Sequence, residues 1–548
     1  MVQIIQQRRE FISPKQFGAY GDTRSLSNTS ITSGTSIVTN TVDAPFKKSD
    51  IGAYINLISA GASSQPHGAT VTGFTSATEI TISINATVTM TNGRCVIGHD
   101  DTDALTKALD YIAPKPGYTG GSNLYLGDGH YLTGPLTLPT GCGIFGNGPF
   151  QSMLYLKPGS ATTNKYLLRN RTSNANRQSY EDFGLNGLRD FQRVGGLLLE
   201  DVNTLQWSTD PDNLAVWEGS VFNRYRNLFI TESCRAGLKY QGPGDSKFSD
   251  ITILKSGYGF DINSPNNSFT GCAASAYGAA WLLGSATKSN RFSACKGYFS
   301  GYSPISTASG SGETANWFLN GASNNDFTAC EGQESWGSNW VLVDAKRNSF
   351  SSCRGADPGC LYLAHSLGSN NSAVIRAGWL LMGDTTNNRF AACSAGVNAH
   401  DSTTYGSHGV YLSGSGTANV GDIYLDSWAE WTTGNFENLM TSRTNTLRIN
   451  GFSLNVQNYW KTSSNNFTAM NGDRIMCDTS AGSFTITLPA TPSFGTEITL
   501  KDKVGTWGIS NLIVDRNGST IDSLAENLVC DINSAEISLL YNGSTWII

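Results

Sequence analysis

The amino-acid sequence predicts an all-β chain whose body is a right-handed parallel β-helix, and three observations carry that prediction. A motif, Asn-x-Phe-x-x-Cys, occurs five times between residues 267 and 393. Its base interval is 21–23 residues. A Trp with two apolar followers stands ten or eleven residues ahead of four of the five phenylalanines.

The copies are NSFTGC (267–272), NRFSAC (290–295), NDFTAC (325–330), NSFSSC (348–353) and NRFAAC (388–393). Their phenylalanines, Phe269, Phe292, Phe327, Phe350 and Phe390, stand 23, 35, 23 and 40 residues apart. The register runs on upstream through SKFSDI with Phe248 and NRYRNL with Tyr225. Trp281, Trp317, Trp340 and Trp379 each open a further short apolar strand. A fixed period of this length marks a solenoid, and two or three short strands make one coil. Coils stack at the inter-strand spacing of about 4.8 Å. Phe then lies on Phe and Cys on Cys inside, while the asparagines align at a turn where they can bond along a ladder. A leucine-rich repeat has a similar period, but its Leu/Asn signature is absent. Five thiols in one column are small apolar filler rather than nucleophiles. The steps of 35 and 40 exceed the base period of 23 by 12 and 17 residues, placing insertions after Phe292 and after Phe350. Loops grafted on a rigid scaffold are where function tends to sit.

Composition narrows the classes further. At 548 residues the chain is too long for one compact core, which calls for several domains or an elongated repeat. Charged residues are 15% of the chain, against about 25% in an average soluble protein, and the net charge is −6. This excludes the basic face of a nucleic-acid binder. No apolar run approaches the ~18 residues of a spanning helix, so no membrane insertion is expected. The start, MVQIIQQRREFISPK, places charges where the apolar block of a signal peptide would stand. Eleven cysteines without a CxxC pair or a Cys/His cluster read as free, buried thiols of a protein made in a reducing cytoplasm, with no metal and no cofactor.

A stacked coil exposes an apolar end and needs a cap. HDDTDALTKALDYIAP (99–114) supplies a helix, with Asp100, Asp101 and Thr102 as N-cap candidates and Ala104, Leu105, Ala108, Leu109 and Ile112 as its apolar stripe. QFGAYGD (16–22), DDTDALTKAL and LYLGDGHYLTGPLTLP followed by GIFGNG resemble the opening of the pectate-lyase-like superfamily. In many of its members the GD and the DDT lie almost side by side; here residues 23–98, rich in Thr, Ser and alternating Val/Ile, intervene as a small β domain. A similar insert, and a similar ladder, occur in bacteriophage tailspikes that depolymerise bacterial surface polysaccharide. Beyond residue 470, short alternating strands and turn dipeptides read as a β-sandwich, similar to the C-terminal modules of phage tail fibres. The expected domains are a lead-in strand (1–22), the β insert (23–98), the cap helix and first coils (99–150), the β-helix (151–465) and the C-terminal β-sandwich (466–548), used for trimerisation or carbohydrate binding.

The resemblance carries no catalytic residue over, because phage depolymerases share no invariant catalytic motif; the ladder itself is the guide. Four residues past each Cys, or its equivalent, the column reads Glu232, Lys255, Ala276, Phe299, Glu334, Asp357 and Val397. Glu334 and Asp357 thus occupy one place on consecutive coils, with backbones about 5 Å apart. Two stacked like charges are unfavourable, so one carboxyl is expected to hold its proton, as a glycosidase acid must. Glu331, one past its Cys, is the third catalytic candidate. Trp336, Tyr298, Tyr302 and Tyr362 supply flat faces for sugar rings, and Arg354 and His365 supply polar contacts in the same loops. Asp384, Asp401, Asp426, Glu430 and His400 are weaker candidates. Lys296 and Arg354 keep a polysaccharide lyase open, since β-elimination needs a base near a uronate. A non-catalytic receptor-binding fibre is the remaining alternative. The combined reading is a phage tailspike endo-glycosidase acting on a host capsular polysaccharide or O-antigen, located in the virion tail. The resemblance further implies a homotrimer, docked to the tail or baseplate through a short peptide or a segment ahead of Met1.

Overall fold

The computed structural model describes residues 11–118, 120–162, 165–170, 177–194, 197–198, 203–207, 222–241, 244–301, 314–359, 375–396, 408–425, 434–440, 446–449, 452–453 and 460–548. The chain divides into two units, Met1–Ser442 and Arg443–Ile548.

The first unit opens on a lead-in that joins the solenoid by isolated parallel bridges, Ile12 to Leu124 and Asp22 to His130. A closed six-stranded barrel follows, ordered Arg24–Ile31, Ile37–Thr39, Glu79–Ile82, His67–Ser76, Tyr54–Leu57 and Met90–Gly98. Alternation along these strands fills its interior with Ile31, Val38, Ile55, Leu57, Val71, Ile80 and Ile97. The chain re-enters the solenoid at Asp100, which bridges Leu132, two residues along the strand (Gly129–Thr133) that receives Asp22. The barrel therefore leaves and returns at neighbouring points of one coil. Its two stems are clamped together: Asp101 accepts from the Tyr20 N–H at 2.6 Å and the Gly21 N–H at 3.0 Å, and His99 Nδ1 lies 2.8 Å from Asp22 Oδ2. The clamp corrects one expectation. Asp101 stands at the N-cap of the helix Thr102–Ile112 without a side-chain cap, because its carboxylate serves the stems; Asp100 accepts from the Thr102 N–H instead, at 3.1 Å. The helix buries its apolar stripe, Ala104, Leu105, Ala108, Leu109 and Ile112, over the open end of the coils.

From there the chain winds as a right-handed parallel β-helix with three strands per full coil. In the first ladder Phe248, Phe269, Phe292, Phe327, Phe350 and Phe390 are in register on successive strands. The second ladder contains Thr252–Ser256, Ala273–Ala276, Lys296–Ser300, Glu331–Ser335 and Arg354–Pro358. The third carries Trp281, Trp317, Trp340 and Trp379 in register. Phe269, Phe292, Phe327 and Phe350 stack at 4.8, 4.7 and 4.8 Å between ring centroids, and the tryptophans at 4.6, 4.7 and 4.9 Å. The two stacks meet edge to face, as Phe327 and Trp340 do at 5.7 Å and 86°. Each buried aromatic is worth roughly 1.5–3 kcal/mol by area, with about 0.5–1.5 kcal/mol more for a well-oriented pair. Cys272, Cys295, Cys330, Cys353 and Cys393 fill the adjoining column, buried and free.

Polar groups also have to be satisfied inside such a stack. The residues before the motif asparagines, Asn266, Ser289, Asn324, Arg347 and Asn387, turn the corner in the left-handed region, φ 55–58°. The asparagine that follows closes the corner to the next coil. Asn290, Asn325, Asn348, Asn388 and Asn419 accept, through Oδ1, from the backbone N–H of Asn267, Asn290, Asn325, Asn348 and Asn388, at 2.7–3.1 Å. Their amide groups donate to backbone carbonyls, Asn348 Nδ2 to Ala322 at 3.0 Å among them.

The second unit packs two sheets on one core that includes Ile475, Phe484, Ile486, Leu500, Trp507, Leu512, Val514 and Trp546. From Trp460 on, six strands alternate between the sheets and pair in parallel within each; the antiparallel strands Leu528–Cys530 and Glu536–Tyr541 then extend them.

Replacing Asn348 with Ala strands the Asn325 N–H and the Ala322 carbonyl inside the stack. We expect a loss of about 1–3 kcal/mol for each group, read as a lower urea midpoint, with Phe327→Ala costing about 3–5 kcal/mol. Burial raises the Asp101 carboxyl from its ordinary 3.8 to about 6, so the folded chain holds this proton where the unfolded chain has released it. Its contribution to stability is complete below about 4 and is lost as pH rises through about 6. In urea titrations across pH 4–7, the difference between wild type and Asp101→Asn should carry that slope.

Candidate active site

The second ladder ends, in most coils, at a left-handed corner that repeats from coil to coil: Glu232 (φ 54°), Lys255 (50°), Phe299 (45°), Glu334 (53°) and Asp357 (51°). An L-residue in this region costs roughly 1–2 kcal/mol. The recurrence shows that the corner belongs to the coil geometry rather than to any one side chain. Within it, the pairs Gln333 to Ala356 and Ser335 to Pro358 set Glu334 opposite Asp357. The two carboxylates counted from the cysteine column therefore do stack on consecutive coils. Both are buried, Glu334 at 7% exposure and Asp357 at 3%.

Beside them on the outer face runs a column of alternating charge, Lys296, Glu331 and Arg354, each opposite the next. Lys296 Nζ lies 3.1 Å from Glu331 Oε2 and donates to Gln333 Oε1 at 2.5 Å. Gln333 Nε2 donates in turn to Glu334 Oε1 at 3.1 Å. Glu331 is thus held in an ion pair, and Gln333 links that pair to Glu334. Tyr298 lies opposite Gln333, with its ring 5.8 Å from Lys296 Nζ; burial raises its hydroxyl pKa, which keeps it a hydrogen-bond donor. Trp336 is half-buried directly after the strand, its N–H bonded to Ser300 O at 2.9 Å. Tyr302, Tyr362 and His365 lie outside the described residues, as do the stretches 302–313 and 360–374 that contain them. So do His400, Asp401, Asp426 and Glu430. Asp384 belongs to a different corner, paired with Lys346.

The backbone beneath this corner is fixed from inside. Trp317 Nε1 donates to Glu331 O and Trp340 Nε1 to Arg354 O, both at 2.8 Å. Asn316 Nδ2 donates to Gln333 O at 2.8 Å, and Asn339 Nδ2 to Ala356 O at 2.7 Å; these carbonyls belong to the residues immediately before Glu334 and Asp357. Asn316 and Asn339 are absent from the set predicted from sequence, yet a signal marks them. Trp281 follows Ala280 and Trp379 follows Gly378, whereas Trp317 and Trp340 follow asparagine. The Asn-Trp dipeptide singles out the two coils that carry the stacked carboxylates.

Glu232, in the same corner column, has a structural partner. Arg94 of the barrel lies 3.3 Å from Glu232 and 3.0 Å from Asp190, and Val96 packs with Leu132, Met153, Tyr155, Leu188 and Phe191. The barrel therefore covers the outer face of the second ladder over the early coils and leaves it uncovered by the barrel further on. Among the described residues no group of three His, Cys, Asp or Glu is arranged to hold a metal ion, and no helix is long and apolar enough to cross a membrane.

No protein-family model and no curated protein matches the chain. Solved structures are similar at low identity. The enzymatically active domain of tailspike protein 2 of bacteriophage CBA120 aligns at 12% identity and a TM-score of 0.48, over 83% of this chain and 63% of that one. The full-length tailspike protein 2 of the Escherichia coli O157:H7 phage aligns at 14% identity and a TM-score of 0.46, over 84% of this chain and 57% of that one. The A-module of the Azotobacter vinelandii mannuronan C-5 epimerase AlgE6 aligns at 13% identity and a TM-score of 0.43, over 65% and 95%. The chain thus spans about three fifths of the length of either tailspike chain.

Asn339→Ala removes a buried donor from the Ala356 carbonyl. The expected cost is about 1–3 kcal/mol, measured by urea unfolding.

Proposed function

We infer that this chain is a polysaccharide-cleaving spike of a bacteriophage particle that acts on a bacterial capsule or O-antigen by hydrolysis, with Glu334 and Asp357 as its acid and base or nucleophile. The observation that carries this reading is the stacking of two buried carboxylates on the two coils whose backbone is pinned by an Asn-Trp pair. Hydrolysis of a glycosidic bond needs one carboxyl to protonate the leaving oxygen and a second, ionised, to activate water or attack the anomeric carbon. Glu331, Lys296 and Gln333 act as positioning residues: their bonds hold the Glu334 carboxylate in one orientation. Tyr298, Trp336 and Arg354, beside the corner, offer flat and hydrogen-bonding surfaces for the sugars on either side of the cleaved bond. Assembly as a homotrimer in the virion tail accompanies this reading. Lys296 and Arg354 also suit β-elimination from a uronate, and product mass separates the two chemistries.

The test is mass spectrometry of products from a panel of purified bacterial capsules. Oligosaccharides at the repeat mass plus water support hydrolysis; products lacking that water identify a lyase. Intact, protein-bound capsule identifies an adhesin. Glu334→Gln and Asp357→Asn should each lower the cleavage rate by about 10²–10⁴-fold with the fold retained. Glu232→Gln, in the same column but tied to the barrel, should leave the rate unchanged. Full activity in both carboxylate variants would remove this site.

A further inference from the structure

A cleft lies toward the other end of the same ladder. Where the barrel meets the first coils, a cleft of about 480 Å³ opens, lined by the barrel stem, by Lys47, Ser49 and Asp50, and by the segments around His130 and Phe150. This volume falls within the usual range of ligand clefts, roughly 300–1,000 Å³. Its walls are fixed before any ligand arrives. The Thr23 N–H donates to His130 O at 2.8 Å, the His130 N–H to Gly21 O at 2.9 Å and the Gly129 N–H to Gln151 O at 2.9 Å. Arg24 Nη2 meets Asp50 Oδ1 at 2.5 Å, which locks the barrel wall.

The chemistry of the lining selects a ligand. Phe150 is 64% exposed at the cleft, with its ring braced against Phe229 at 4.9 Å between centroids. A large apolar face left in water within a polar cleft suits the apolar face of a sugar ring. Arg24 is matched by Asp50, and Asp22 Oδ2 lies 2.8 Å from His99 Nδ1. Lys47 and Asp128 also line the cleft, one cation and one carboxylate, and Asp128 Oδ1 accepts from Asn147 Nδ2 at 2.8 Å. A uronate or sulfated chain would meet the carboxylates of Asp22 and Asp128 with no surplus of positive charge to offset them. An uncharged sugar can instead accept from Lys47 and donate to Asp128.

Register relates this cleft to the carboxylate corner. His130, Met153, Gly184, Phe229, Thr252, Ala273, Lys296 and Glu331 follow one another along one column of the second ladder. Seven coil steps at about 4.8 Å put the cleft about 34 Å from Glu331 on the same outer face. We propose that the cleft between the barrel and the first coils is a non-catalytic binding site for an uncharged oligosaccharide, distinct from the Glu334–Asp357 corner. Phe150 is its platform, and Lys47 and Asp128 are its hydroxyl partners. The barrel covers part of the face between the two places, so the cleft would hold one part of a long glycan while another part of the same polymer reaches the corner.

The experiment is saturation-transfer NMR and calorimetry on the full chain with maltohexaose, cellohexaose, isomaltohexaose and chitohexaose, and with hexagalacturonate as the anionic comparator. At least one neutral hexamer should bind at millimolar concentration or below. Phe150→Ala and Lys47→Ala should each weaken it about tenfold or more, with the fold retained, since both residues are exposed. Binding should be equal in wild type and Glu334→Gln, so a failure of the catalytic reading leaves this result intact. No binding by any neutral hexamer, binding indifferent to both cleft substitutions, or tighter binding of hexagalacturonate would each overturn the proposal.

Discussion

Every strand of the solenoid must lie over its counterpart one coil below, at the hydrogen-bonding distance of about 4.8 Å, and the rest of the unit follows from that constraint. A side chain in such a stack has its own column as nearest neighbour. Phe on Phe and Trp on Trp gain contact at every step, and the edge-to-face meeting of the two columns locks the inner faces together. The same geometry penalises charge, because like side chains cannot escape one another along a column. The outer face answers with alternation, Lys296 against Glu331 and Glu331 against Arg354. The stacked pair Glu334 and Asp357 does not alternate, and unlike the exposed like-charge pair Arg224 and Lys247 it is buried, which is reason to look for function there.

Stacking also decides how the interior treats polar groups. An asparagine side chain can accept from one coil and donate toward another, so a column of asparagines satisfies itself at each corner where the backbone turns left-handed. The indole N–H of each stacked tryptophan finds a carbonyl on the second ladder. Those bonds are structural throughout the solenoid, yet on two coils they fall directly beneath the carboxylates, joined by Asn316 and Asn339. The scaffold's ordinary devices thereby become the support of the site.

The barrel shows how such a scaffold accepts a foreign module. Because Asp22 and Asp100 bridge neighbouring positions of one strand, the coil closes almost as though the insert were absent, and Asp101 and the Asp22–His99 pair tie the stems. The barrel then lies on the outer face, where Arg94 takes up Glu232 and Val96 covers Leu132 and Tyr155. This covering separates two carboxylates that share a column: Glu232 is tied to the barrel, whereas Glu334 stands beyond its cover.

The sequence by itself determined the columns. Identical residues at a repeated interval can only stack in a solenoid, so Phe269 through Phe390, the tryptophans, the cysteines and the alignment of Glu334 with Asp357 were all legible by counting. The apolar stripe of the cap helix was legible for the same reason, since periodicity is a local property. Contacts between segments far apart in the chain were not. Arg94 with Glu232, Asp101 with the Tyr20 and Gly21 amides, and Asn339 with the Ala356 carbonyl carry no spacing that announces a partner. The C-terminal strands likewise alternate in sequence as an antiparallel meander would, yet six of them pair in parallel; side-chain period reports the buried face of a strand and not the direction of its neighbour. Only tertiary structure decided which of the stacked charges are tied to a partner module and where the barrel leaves a cleft, because both depend on how separately folded pieces meet, and that meeting has no period to read.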